Sequence, residues 1–305
     1  MLKHFTLAFL LVQTFFLSAQ TITQFDLSGQ MERPQSLRFA ERGNGEIWFL
    51  YTYFSSGQRE YAMLTYDGTA WTELDTLPCE TCLRDMDAGP DGKIYLAADV
   101  QGVYRWDDSV WTQIATEKAL AIDFNSQGEL YFMNDQGLNY LAGGTTVTPA
   151  NNQGLPANIV LVNDMFFDQD DQLWMLLPST LYTQTQSVGW TQLNDNISPL
   201  QIDLGPNNRL YMADAGGQVN YYENGTYNNN TITGVFPTGL SFTDFVVDKG
   251  GIVYASTQGT MPGVLKYDGS SSQLFPVADL IPSGILIHKL FVANNNDIWV
   301  ASRDR

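Results

Sequence analysis

Five charged residues recur at one register of a repeating chain: Arg38, Asp85, Asp164, Asp244 and Lys289. Each stands ten residues before an aromatic residue, and Ala121 and Gln201 hold the same register elsewhere. Three carboxylates and two cations brought together would line a polar funnel for a hydroxyl-rich or cationic ligand. Asp85, Asp164 and Asp244 could jointly hold a divalent ion through hard oxygen ligands. The competing reading is that Arg38 and Lys289 neutralise neighbouring aspartates at a wet channel mouth. A second set, Tyr51, Tyr53, Phe54, Arg59 and Tyr61, lies in the segment 51–61. Exposed aromatics beside polar groups stack on sugar rings or anchor a protein partner. The same residues could instead extend two strands into a long hairpin.

The remaining reactive side chains point away from catalysis. Cys79 and Cys82 flank Glu80-Thr81, and in an exported chain they read as a small disulfide clip, with two free thiols as the alternative. Redox chemistry would call for a βαβ setting that the surrounding sequence lacks, and a zinc site would need further Cys or His ligands. A Ser/His/Asp triad would have to use His288, and no Gly-x-Ser-x-Gly elbow occurs. Asp168-Gln169-Asp170-Asp171 opens like a calcium loop but has neither the Gly at the sixth position nor the Glu at the twelfth, so it reads as a turn. No enzyme, cofactor or resident metal is expected.

The elements that must position these residues are repeats. Seven segments align on Trp48, Tyr95, Tyr131, Trp174, Tyr211, Tyr254 and Trp299, each preceded directly by Ile, Leu or Val. Nine residues before each anchor stands Phe39, Met86, Ile122, Met165, Ile202, Phe245 or Leu290. Turn-forming residues such as Gly89-Pro90-Asp91-Gly92 separate the two columns, so each unit opens strand, turn, strand. A third strand follows, as in Gly102-Val103-Tyr104-Arg105-Trp106, and a fourth, as in Trp190-Thr191-Gln192-Leu193. Four short strands per unit, with near-continuous apolar inner runs such as Leu173–Leu177 and no helical period, predict an all-β propeller of about seven four-stranded blades. The blades are expected near 36–77, 83–116, 118–148, 160–193, 199–233, 241–276 and 287–305.

The seventh unit supplies two strands before Arg305. Either the N-terminal segment 21–27 adds a strand to it, hiding a sheet edge, or the chain is a piece of a longer product. Residues 1–19, with Lys3, an apolar run from Phe5 to Leu17 and then Ser18-Ala19, read as a cleaved signal peptide, leaving 20–305 as the propeller domain. The protein is therefore expected to be exported, and no other apolar run is long enough to span a membrane. A net charge of −18 disfavours nucleic acid, which needs a basic footprint.

Gly154-Leu155-Pro156-Ala157-Asn158-Ile159, followed through Val162-Asn163-Asp164-Met165 to Gln172-Leu173-Trp174-Met175, resembles the blade signature of two-component-regulator propeller repeats of bacterial, especially Bacteroidetes, sensors. Asp297-Ile298-Trp299-Val300-Ala301-Ser302 carries part of the same signature. That resemblance implies a ligand-sensing domain, often for polysaccharide fragments, or a freestanding exported relative such as an attachment component of type IX secretion. Three functions follow as expectations. The first is a non-catalytic exported propeller binding a glycan, peptide or protein partner at the channel mouth; the second is an envelope scaffold. The third is a metal-dependent lactonase-like or lyase-like enzyme.

Overall fold

The computed structural model describes residues 37–55, 58–79, 82–150, 152–178, 180–185, 189–193, 198–214, 219–228, 241–258, 262–276 and 286–303. The proposed signal peptide 1–19 and closing strand 21–27 lie outside them. Blade 1 contains β1 (Leu37–Glu41), β2 (Ile47–Ser55), β3 (Gln58–Tyr66) and β4 (Trp71–Glu73). Blade 2 contains β5 (Asp85–Ala88), β6 (Ile94–Ala97), β7 (Val103–Trp106) and β8 (Trp111–Ala115), and blade 3 contains β9 (Ala121–Phe124), β10 (Leu130–Asn134), β11 (Gly137–Ala142) and β12 (Thr145–Val147). Blade 4 is β13 (Asp164–Phe167), β14 (Leu173–Leu177), β15 (Thr180–Thr185) and β16 (Gly189–Gln192). Blade 5 is β17 (Pro199–Leu204), β18 (Leu210–Asp214), β19 (Val219–Glu223) and β20 (Thr226–Asn228). Blade 6 is β21 (Ser241–Val247), β22 (Val253–Gln258), β23 (Gly263–Tyr267) and β24 (Ser272–Pro276).

Each of these six sheets is an antiparallel meander in chain order. Among the described residues the last sheet holds β25 (Leu286–Val292) and β26 (Ile298–Arg303). The expectation of about seven four-stranded blades is thus corrected to six, with a two-stranded sheet at the seventh place. β25 packs against β21 on one side and β1 on the other, so the inner strands form a closed ring.

One backbone position explains why the repeat keeps its shape. Three residues before each anchor stand Gly45, Gly92, Gly128, Asp171, Asn208, Gly251 and Asn296, and all seven have positive φ, between 55° and 84°. Gly, Asn and Asp tolerate that left-handed conformation at least cost. The turn then closes through a backbone bond three residues back, as from Gly92 N to Gly89 O at 2.9 Å. Beyond the turn the anchor is delivered into the seam between blades. Trp48 is 1% exposed and meets Trp106 of blade 2 edge-on at 5.9 Å, and Trp174 is 3% exposed and donates its indole N–H to Asp168 at 3.0 Å. Asp168 also accepts from the amides of Asp170 and Gln172, so this stretch is the predicted hairpin turn.

Candidate functional site

Side chains alternate across a strand, so one face of every inner strand looks into the central channel. The structure puts Arg38, Asp85, Asp164, Asp244 and Lys289 on β1, β5, β13, β21 and β25 at the end where the chain enters these strands. Their charges are largely consumed within the ring. Arg38 Nε donates to Asp85 Oδ1 at 2.9 Å, and Arg38 Nη2 reaches the carbonyl of Asn163 in blade 4 at 3.2 Å, a crossbar over the channel. Asp85 Oδ2 accepts the amide of Ile122 in blade 3 at 3.1 Å. Lys289 Nζ lies 3.1 Å from Asp244 Oδ1, and Asp244 Oδ2 accepts the amide of Leu290 at 2.6 Å. Asp244 is 1% exposed.

Asp85, Asp164 and Asp244 are the carboxylates of the divalent-ion reading. Two of the three carboxylates already hold a cationic side chain and a backbone amide, which leaves no common set of free oxygens. Among the described residues no group of three or more His, Cys, Asp and Glu side chains is arranged to hold a metal ion. Asp164 differs from its neighbours. Its Oδ1 accepts the amide of Met165 at 3.0 Å, burial pushes its carboxyl above the ordinary value, and Arg38 and Lys289 pull the other way.

A second tier lies two residues further along the same strands, on the same channel-facing side. Asp87, Asp123 and Asp203 occupy it, and the sequence reading missed them. The signal was available: a strand that turns residue i to the channel also turns i+2 there. Asp123 accepts the amide of Phe167 in blade 4, and Asp203 accepts that of Val247 in blade 6 at 2.6 Å. Asp87 and Asp123 hydrogen-bond to each other through their side chains. Burial pushes Asp203 up to about 7 and Asp87 up to about 6, and burial with the neighbouring Asp87 charge raises Asp123 well above the carboxylate range. Four of these carboxylates, Asp85, Asp123, Asp203 and Asp244, each reach a backbone amide of the next sheet around the ring. They act as staples between blades.

The aromatic set behaves as the long-hairpin alternative described. β2 and β3 are nine residues each and pair from Ile47–Tyr66 to Ser55–Gln58. Tyr51 and Tyr61 are 2% and 8% exposed, so the expectation of exposed stacking rings at these two positions is corrected: each packs into the apolar clusters beside blade 1. The side chains of Tyr53, Phe54 and Arg59 lie outside the described residues. Cys79 and Cys82 form a disulfide with Cα atoms 5.8 Å apart.

The mouth face carries a different feature. Asp85 pairs with Ala97, so the β6–β7 connection lies at the same end of the ring as Asp85, and residues leading into β13 and β17 reach that end too. Val100, Val160 and Leu161 stand in these segments and Leu200 at the start of β17, and they are 72%, 75%, 44% and 48% exposed. Between them runs a chain of ion pairs from Arg84 to Asp99, Lys118 and Asp135.

No protein-family model and no curated protein matches the chain by sequence. Solved structures share the fold. Virginiamycin B lyase from Staphylococcus aureus superposes with a TM-score of 0.67 at 14% identity, over 92% of this chain and 95% of the lyase. The extracellular domain assigned to a one-component system of B. thetaiotaomicron gives 0.63 at 15% identity, over 88% of this chain and 37% of that one. PorZ, a surface component of the type-IX secretion system of Porphyromonas gingivalis, gives 0.59 at 15% identity, over 86% and 44%. The chain thus spans less than half of the sensor domain and of PorZ. At these identities the likeness defines a class, the β-propeller, shared by extracellular sensor domains, a secretion component and a lyase. Among the described residues no helix is long and apolar enough to cross a membrane.

Proposed function

We propose that this is a non-catalytic exported propeller, of the kind built from two-component-regulator-type repeats, that binds a polypeptide partner through its mouth face. The observation that carries this reading is the pairing of two facts at one end of the ring. Channel charges are tied to each other and to backbone amides, while four large aliphatic side chains stand out to solvent around a charged rim. Isolated exposed aliphatics are ordinary, but four of the five large hydrophobics found most exposed among the described residues share this one face. A glycan ligand would call for open aromatic platforms, and Tyr51 and Tyr61 are buried. The likeness to extracellular sensors and to PorZ supports export. Likeness to the lyase keeps an enzymatic reading alive at the level of fold, yet Asp85 and Asp244 lack the free oxygens a catalytic ion would need.

The test is capture of envelope proteins on immobilised chain, comparing wild type with the double variant Val160→Asp, Leu161→Asp. Both sites are solvent-exposed, so the variant should fold. A specific partner retained by wild type and lost by the variant supports the reading. Equal retention by both, or retention on a polysaccharide panel with no protein captured, overturns it.

A further inference from the structure

Four blades carry Tyr at the anchor, and three of them place a cation of the chain beside the anchor or its cross-strand partner. In blade 2 Arg105 lies directly across from Tyr95 and pairs with Asp107 at 2.8 Å, while the Tyr95 hydroxyl donates to Asp91 at 2.9 Å. In blade 5 the guanidinium of Arg209 sits 4.5 Å from the ring centroid of Tyr221, which faces Tyr211 across the ladder, and pairs with Glu223 at 3.0 Å. In blade 6 Lys266 lies across from Tyr254, with Nζ 5.8 Å from the ring centroid.

Blade 3 departs from its siblings. Tyr140 occupies the place of Arg105 and Lys266, opposite Tyr131, and Glu129 occupies the place of Arg209, two residues before the anchor. The two tyrosine rings stack at 5.3 Å, and Phe167 of blade 4 meets Tyr131 edge-on at 4.9 Å. Among the described residues no Lys or Arg lies over either tyrosine. A cleft of about 320 Å³ opens here, in the seam between blades 3 and 4, lined by Tyr131, Tyr140, Phe167, Leu138, Gln184 and Asp171. The Tyr131 hydroxyl faces Glu129 at 3.5 Å. Aromatic faces with carboxylates beside them attract organic cations, and such a volume suits a small ligand.

We infer that this cleft is a binding site for an organic cation, an alkylguanidinium or alkylammonium, which takes the place that Arg209, Arg105 and Lys266 fill in the other blades. The cation lies against Tyr131 and Tyr140 and its alkyl stem runs over Leu138; Asp171 in the lining, which already accepts from Ser126 and Gln127, and Glu129 beside the cleft, which accepts from Asn125, supply negative potential rather than a direct ion pair. The site is separate from the mouth face and stands whether or not a polypeptide docks there.

Agmatine is the probe, with N-butylurea as its neutral counterpart, read by ligand-observed NMR titration. Wild type should bind agmatine saturably with a Kd of about 1 mM or tighter and leave N-butylurea unbound. Tyr140→Lys, which restores the arrangement of blade 6, should fill the cleft from within and lower agmatine affinity at least about tenfold. Tyr140→Phe should retain binding, and Thr72→Lys, which adds the same charge on blade 1, should bind as wild type does. Should Tyr140→Lys fail to fold, Glu129→Gln serves instead and should weaken binding several-fold. N-acetyl-arginine amide separates the sources: tighter binding than agmatine points to a polypeptide side chain, weaker binding to a small free amine, and either supports the site. No saturable agmatine binding, equal binding of N-butylurea, or undiminished binding in both Tyr140→Lys and Glu129→Gln overturns the inference.

Discussion

The second-tier aspartates should make this acidic protein more stable in mild acid than at neutral pH, and Asp203 is where the effect can be isolated. An unfolded Asp ionises near 3.8, whereas burial holds Asp203 protonated up to about 7 in the folded ring, with the nearby Asp164 charge adding to the rise. Between those values the folded state carries a proton that the unfolded state has lost. Stability therefore falls as pH rises, by about 1.4 kcal/mol per unit at most, and levels off above 7. Three units would give about 4 kcal/mol. Water in the channel weakens the penalty, and roughly half, about 2 kcal/mol, is the expected size. Asp87, raised to about 6, acts in the same sense over a narrower window. Exposed Asp67, held down at about 2 by its Thr69 and Ala70 hydrogen bonds, acts oppositely, but only as pH drops below 3.8. Urea unfolding at pH 4.5, 5.5, 6.5 and 7.5 measures the slope. Because self-repulsion of a −18 chain also grows with pH, the diagnostic is Asp203→Asn compared with Asp75→Asn, which removes an exposed carboxylate. Asp203→Asn loses an acceptor for either Leu204 or Val247 and starts out less stable, but its slope between pH 4.5 and 7.5 should be shallower by about 2 kcal/mol over the range. Wild type growing more stable toward pH 7.5, or equal slopes in the two variants, would refute the reasoning.

Other perturbations follow from the same geometry. Arg38→Met removes the crossbar and leaves Asp85 facing the channel without its cation, at a cost of about 1–3 kcal/mol by chemical denaturation, reduced from the fully buried case because Arg38 is 30% exposed. Trp174→Ala empties the seam between blades 4 and 5, where the ring meets Tyr222 at 5.5 Å, and should cost about 3–5 kcal/mol with loss of cooperativity in the thermal transition. The Cys79–Cys82 disulfide closes so short a loop that only about 2 kcal/mol is lost on its reduction, so dithiothreitol should shift the melting temperature by a few degrees and leave the far-ultraviolet spectrum unchanged.

Most of the architecture was legible because each level of the repeat repeats a physical demand. The column three residues before each anchor needs positive φ, and Gly, Asp or Asn fills it seven times. The anchor and the position nine before it need burial, and Trp48, Met86 and Ile122 are all buried. The channel register was legible for the same reason, since one strand position per blade was already known to face inward. What the sequence concealed was partnership. Whether Arg38 meets a ligand or Asp85 depends on the curvature of the ring, which no local spacing records. The aromatic segment 51–61 misled for a related cause: alternation in a strand is the same whether its outer face meets water or a neighbouring blade, and here it meets a blade. The cleft in blade 3 leaves no motif in the sequence, because it consists of one substitution, Tyr140 where blades 2 and 6 have Arg105 and Lys266.

The staples also bear on why such divergent blades can share a ring. A four-stranded sheet satisfies its own ladder, but its inner strand presents amides to the channel that no neighbouring strand pairs, because adjacent blades face each other side to side rather than edge to edge. An Asp on one inner strand reaching the amides of Ile122, Phe167, Val247 or Leu290 on the next fulfils that need. The bond is indifferent to which apolar side chains fill the seam behind it. Blade cores can therefore vary from the Trp-rich contact of blades 1 and 2 to the Ala and Val packing of blades 5 and 6 while the spacing of the inner strands holds. The same acceptors are buried in a narrow channel, and burial, with neighbouring carboxylates adding to it, raises Asp87, Asp123 and Asp203 together. Ring closure and the acid-favoured stability are thus two consequences of one arrangement.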